Sequence, residues 1–263
     1  MAGRTRRTDD PKLAAACAEQ WRLVAATVDA LPDEAFGAAS PLPGWTVGDL
    51  VAHCARSAGA LAAALAAPGL ATGRVLDTVG YLGGVGARAE AIADTARSEA
   101  DGLGPADLRA RLRAALDAST AALQVAVANG PAVWDTVVAS PGGAARLGDF
   151  VVTRCVEGAV HGLDLGAAPT RDAARIVTRA LVDLLAARAP GGSVELRVPP
   201  YAAAQVVEGP RHTRGTPPNV VEADPVAFIL VAAGRLDWAT AVADGRITAS
   251  GERADLRPHL PLL

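Results

Sequence analysis

Arg154, Glu157, His161 and Asp164 follow one another at steps of three, four and three, so a helix through them would carry all four side chains on one stripe. A glutamate and a histidine four apart on a helix lie about 5–6 Å from each other at Cβ and can aim at a single point. His53 lies far upstream, in register with Leu50, Ser57 and Leu61 on the core-facing side of another expected helix. An imidazole buried there must be neutral and hydrogen-bonded, or bound to metal. Two imidazoles and one carboxylate brought together from two helices make a three-ligand site for a divalent ion with a fourth corner free, which is the catalytic kind of zinc site. His53, Glu157 and His161 are therefore the candidate metal ligands. With both rings neutral and the carboxylate ionised, a Zn²⁺ centre would keep one net positive charge. Asp49, four residues before His53, and Asp164, three after His161, are candidate acceptors for ring N–H groups, and Arg154 can pair with Glu157. Arg154 and Asp164 are the expected catalytic side chains beside the metal.

Other chemistries lack their letters. His-Glu-x-x-His is missing, as are Gly-x-Ser-x-Gly and the phosphate-binding Gly-x-x-x-x-Gly-Lys-Ser/Thr. Cys17, Cys54 and Cys155 are odd in number, far apart and outside any Cys-x-x-Cys, which argues against a disulfide framework and a thiolate knuckle alike. They read as reduced core thiols. With 25 basic and 28 acidic residues the net charge is −3, and no basic cluster marks a nucleic-acid surface. Residues 58–67 are the most apolar run, yet they are mostly alanine and stop at Pro68-Gly69, too short to span a bilayer. The N-terminus, basic and then acidic with no apolar segment after it, carries no secretory signature, so a cytoplasmic location is expected.

Helices must present these groups. Leu13, Cys17, Trp21, Val24 and Val28 recur at helical spacing after Asp10-Pro11, and Thr46 with Asp49 three residues on resembles a capping box opening the helix that carries His53. Residues 75–100 read as a third helix despite glycines at 80, 83, 84 and 86, and Pro105 opens a fourth. After a short extended stretch at 133–140, Gly148-Asp149 opens the helix of Glu157 and His161, and a further helix covers 172–188 up to Pro190-Gly191-Gly192. Beyond that break Val194, Leu196 and Val198 alternate with polar residues, and 205–208, 219–221 and 246–249 are strand-sized, with helical runs at 225–233 and 237–243. The expectation is an α+β chain of two domains. Residues 1–190 form an up-down helical bundle and residues 191–263 a small α+β module.

The run Pro43-Gly44-Trp45-Thr46-Val47-Gly48-Asp49-Leu50-Val51-Ala52-His53, followed by Arg154-x-x-Glu157-x-x-x-His161-x-x-Asp164-Leu165, resembles the mycothiol-dependent maleylpyruvate isomerase family, a branch of the DinB-like metal-binding bundles. The tail, through Asp224-Pro225, Gly234-Arg235-Leu236, Gly245-Arg246 and Leu260-Pro261, is similar to that family's C-terminal domain, which is related to sterol-carrier proteins. The resemblance implies that His53, Glu157 and His161 hold zinc or another divalent metal, and that the metal acidifies the thiol of mycothiol for addition to an electrophilic small molecule. The outcome would be cis/trans isomerisation if the thiol is later expelled, or S-transfer if the adduct persists. It also implies a catalytic arginine in the C-terminal domain, for which Arg211, Arg214, Arg235 and Arg246 are candidates. The chain is expected to work as a monomer or weak homodimer, without nucleic acid or membrane as partner. The competing reading is a non-catalytic carrier whose second module holds an apolar ligand, although the apolar segment 226–233 would serve equally as core.

Overall fold

The computed structural model describes residues 10–66, 71–210 and 217–263. The first helix, α1 (Asp10–Ala30), buries Leu13, Cys17, Trp21, Val24 and Val28, the stripe its periodicity marks. Each such apolar side chain withdrawn from water contributes about 1.5–3 kcal/mol to the folded state. The second, α2 (Val47–Ala66), starts at a reciprocal cap: Thr46 N–H donates to Asp49 Oδ2 at 2.8 Å and Asp49 N–H donates to Thr46 Oγ1 at 3.1 Å. This capping box satisfies donors that the first helical turn leaves free and fixes where α2 begins. It also fixes the phase that puts His53 and Ser57 on the buried side.

The stretch expected as one helix over 75–100 is instead two, α3 (Thr78–Gly83) and α4 (Ala89–Ala100), separated by a 3₁₀ turn at Gly86–Arg88. Glycines favour the break, and Leu76 N–H is already committed to Ala144 O at 2.8 Å, so the chain leaves the helical path before Asp77 caps α3. Pro105 opens α5 (Pro105–Ala128), which packs along α2. The excursion expected at 133–140 is a 3₁₀ turn, Pro131–Asp135, followed by β1 (Val137–Ser140), which pairs antiparallel with β2 (Gly143–Arg146).

The ligand-bearing helix, α6 (Leu147–Asp164), uses two faces about 100° apart. Glu157 and His161 look toward α2. Gly158 and Gly162, each one position on, let α1 come close: a Cβ on Gly158 would stand 3.1 Å from the Trp21 ring, and one on Gly162 would stand 3.0 Å from Gln20 Nε2. Across that contact Trp21 Nε1 donates to Arg154 O at 3.0 Å and Gln20 Nε2 to Gly158 O at 3.1 Å, while Thr170 N–H donates to Gln20 Oε1 at 2.9 Å. These bonds pin the rotation of α6 about its axis, which decides where its metal-facing stripe points.

After α7 (Arg171–Arg188) the architecture changes to a four-stranded sheet of β3 (Val194–Val198), β4 (Ala202–Val206), β5 (Val220–Ala223) and β6 (Ile247–Ser250), in the order β4-β3-β5-β6. Only the β3 and β5 pair is parallel. Strand β4 begins earlier than the expected 205–208, because the tight turn at Pro199-Pro200 brings Ala202 directly opposite Val198. Helix α8 (Pro225–Ala232) is capped by Asp224, and α9 (Trp238–Ala243) by Asp237. Ala227, Phe228, Ile229, Val231 and Ala232 are all buried, so α8 contributes to the core. Helix α7 packs against α6 on one side and against β4 and α8 on the other. Among the described residues no helix is long and apolar enough to cross a membrane.

Candidate metal centre

His53 from α2 and Glu157 and His161 from α6 converge, with one ligand atom of each lying within 4.8 Å of the others. Both nitrogens face the same carboxylate oxygen: Glu157 Oε2 is 3.0 Å from His53 Nε2 and 3.4 Å from His161 Nε2. The two rings meet edge to face with centroids 4.8 Å apart, and Trp45 closes the far edge of His53 at 5.6 Å.

Asp164 stands behind His161, its Oδ2 2.9 Å from Nδ1. A carboxylate only accepts, so Nδ1 carries the proton and Nε2 is the nitrogen directed at Glu157. Arg235, in the turn after α8, grips the same carboxylate with Nε at 2.9 Å and Nη2 at 3.2 Å, and its Nη1 donates to Ala233 O at 2.7 Å. This ties the C-terminal module to the bundle at the candidate centre. Arg246 pairs with Asp244 on the surface, and Arg211 and Arg214 lie outside the described residues, as does His212. Asp49, considered as an acceptor for His53, is engaged in capping α2, and His53 Nδ1 is buried without a hydrogen-bond partner.

Charge follows from these contacts. Burial pulls the His53 pKa down more than the hydrogen bond and charge of Glu157 raise it, so the ring is neutral at neutral pH. Burial also works against a charged His161, yet hydrogen bonds to Asp164 and Glu157 outweigh it and push that pKa up to about 9. Glu157 is held well below the usual carboxylate range: burial would raise it, but the Arg154 charge and the two histidines prevail. Asp164 is likewise lowered, against its own burial, by His161 and Arg235.

Arg154, on the same stripe, is itself buried, with its guanidinium over Phe150 at 4.9 Å. Its Nη1 donates to Ser57 Oγ at 2.8 Å and its Nη2 lies 3.6 Å from Glu157 Oε1. Ser57 and Tyr81 are participants that motif reading passed over. The signal for Ser57 was present, since it is a hydroxyl on the stripe of Leu50 and Leu61; Tyr81 sits on the broken helix α3, and nothing in its spacing points to Arg154.

The three side chains fit a divalent ion. The donors are two imidazole nitrogens and a carboxylate oxygen, buried and convergent, with an outer carboxylate orienting one ring, which is the set a borderline cation such as Zn²⁺ takes. All three cysteines, by contrast, are buried, and burial pushes Cys17 up to about 12, and Cys54 and Cys155 well above the usual thiol range.

Comparison with known proteins agrees with this layout. The family model described as mycothiol maleylpyruvate isomerase N-terminal domain matches residues 17–166, and that described as bacterial SCP ortholog matches residues 170–262. The second match takes in α7, whereas the break at Pro190-Gly191-Gly192 follows it. No curated protein matches the chain. Among solved structures, the mycothiol-dependent maleylpyruvate isomerase is similar with a TM-score of 0.59 at 19% identity, covering 94% of this chain and 93% of that one. A histidine-to-alanine mutant of that enzyme gives a TM-score of 0.58 at the same 19% identity and the same coverage. At that identity the likeness speaks for the fold.

Proposed function

We propose, from the premise that this chain belongs to the mycothiol maleylpyruvate isomerase family, that it is a metal-dependent enzyme using mycothiol or a related low-molecular-weight thiol against an electrophilic small molecule, as an isomerase or an S-transferase. The observation that carries this reading is the convergence of His53, Glu157 and His161 on one buried point. A divalent ion held by these three, with zinc the best match to the donors, would supply the positive charge that acidifies a thiol at neutral pH.

The chain's own residues do the rest. His53 is kept neutral by burial and Glu157 anionic by Arg154 and the two histidines, so both have the net charge a ligand needs, and an ion would displace the proton that His53 Nε2 shares with Glu157. Asp164 holds the third ring by its far nitrogen, leaving Nε2 to face the centre. Arg235 balances the Asp164 charge, and of the four arginines considered in the C-terminal domain it is our choice for the catalytic one. The thiol must come from outside, because the cysteines of this chain are sealed in the core as neutral thiols.

The test is a panel of electrophiles, unsaturated diacids among them, incubated with mycothiol and the purified protein, with product masses recorded. An unchanged mass with altered geometry marks an isomerase, and addition of the thiol mass marks a transferase. Metal-free protein that copurifies with lipid and turns over no member of the panel would support the carrier reading instead.

A further inference from the structure

Glu157 carries two oxygens, and their surroundings differ. Oε2 faces both imidazoles and the Ser57 hydroxyl, which lies 3.5 Å away; Oε1 faces Arg154 at 3.6 Å. At that separation the arginine acts on Oε1 through charge, and its directional bonds go elsewhere. Nη1 donates to Ser57 at 2.8 Å, Nε to Thr153 Oγ1 at 3.3 Å, and Nη2 to the Tyr81 hydroxyl at 3.5 Å. Phe150 and Tyr81 lie against the guanidinium, with ring centroids 4.9 and 5.7 Å from its central carbon. Tyr81 is in turn covered by the β1–β2 turn, since a Cβ on Gly142 would fall 2.5 Å from its ring. Nε and Nη1 of the fork have acceptors of their own, while Nη2 stands between the Tyr81 hydroxyl and Glu157, so a two-pronged ion pair with Glu157 requires abandoning Ser57 or Thr153.

We infer that Arg154 and Ser57 are positioning residues that set the rotamer of Glu157. Arg154 draws Oε1 away from the centre, and Ser57, held by Arg154, donates toward Oε2, so that Glu157 offers one oxygen to an ion and not two. The inference rests on the proposed metal-dependent reading. A guanidinium with fixed acceptors restrains the carboxylate better than a mobile ammonium could, because planar geometry and not charge alone sets the direction. Removing the Ser57 hydroxyl takes its donor from Oε2 and loosens the anchor of Arg154, so the carboxylate is no longer held with a single oxygen toward the centre.

The test uses the full chain with Ser57→Ala and Arg154→Lys, the second keeping the charge and losing the fork. Zn²⁺ affinity is read by competition with a chelating dye, and Co²⁺ is substituted so that its visible absorption reports coordination number. Expected in each variant is a loss of Zn²⁺ affinity of about tenfold or more and a Co²⁺ spectrum shifted toward higher coordination, with helical circular dichroism retained. Wild-type affinity and spectrum in Ser57→Ala overturn the inference while leaving the metal reading intact. If Ser57→Ala does not fold, Arg154→Lys decides on the same two readouts. A wild-type chain that takes up neither ion overturns the metal reading and this inference together.

Discussion

Asp164 Oδ2 lies 2.9 Å from His161 Nδ1, a contact that keeps a proton on that nitrogen and, together with Glu157, favours the charged ring of a proposed metal ligand. In the metal-free chain the histidine pKa rises from 6.5 to about 9, so His161 is a cation at neutral pH. Because the shift is upward, its contribution to stability is fully present below about pH 6.5 and disappears as pH climbs through about 9. An ion at Nε2 has to displace that proton. Zinc uptake at pH 7 should thus release about one proton per ion, and affinity should rise roughly tenfold per pH unit up to about 9. Calorimetric titration in buffers of different ionisation enthalpy measures the release directly; none at pH 7 would contradict the assignment.

Arg235 supports the same carboxylate from the other module. Asp164 is almost wholly buried, so Arg235→Ala leaves it facing His161 alone, and breaking such a pair destabilises by about 3–5 kcal/mol at most. Partial exposure of Arg235 places the expected loss toward the low end. Asp164→Asn keeps an acceptor for Nδ1 without the charge, and should weaken zinc binding or thiol-dependent turnover by about 10–100-fold. Urea denaturation and metal competition separate the two effects, and wild-type values in both variants would remove Asp164 and Arg235 from the site.

The cysteines give a pH prediction of the same sign. Burial raises Cys17 to about 12 against the mild pull of Arg154, and it raises the other two as well. Unfolding returns each to the usual thiol range near 9, so the unfolded chain sheds protons first and stability should fall as pH rises above that value. At pH 8 a thiol reagent should label native protein slowly and modify all three cysteines once denaturant is added. Rapid labelling of the native chain would reopen the possibility of a protein nucleophile.

Gly158 tests how the ligand helix is held. An alanine there gains about 0.5–1 kcal/mol of helix propensity but pushes its Cβ to 3.1 Å from Trp21, and overpacking of this kind costs about 1–3 kcal/mol. Gly158→Ala should lower stability by about 1 kcal/mol net and weaken metal binding, as α6 is forced away from α1. Increased stability with unchanged metal affinity would mean that the α1 contact does not set the stripe.

Helical phase was legible where an apolar stripe recurred at helical spacing, as in α1 and α6, and in α2 the Thr46–Asp49 box also fixes the start. That is also why the three candidate ligands could be named from spacing. Residues 75–100 misled because helical periodicity persisted across glycines while Leu76 was bonding to β2, a partner distant in sequence. Arg235 meets Asp164 only through the fold, since no periodicity relates the two, and Tyr81 reaches Arg154 where the β1–β2 turn covers it. Asp49 shows the converse: its spacing suited His53, but the backbone of its own helix claimed it first.

His53, Glu157 and His161 are proposed to hold one divalent ion between them. Elemental analysis of the purified full chain beside its His53→Ala variant tests this most directly, with circular dichroism to confirm that both are helical. Close to one equivalent of metal, zinc foremost, is expected in the wild-type chain and background levels in the variant. A well-folded His53→Ala protein that keeps its full complement of metal would contradict it.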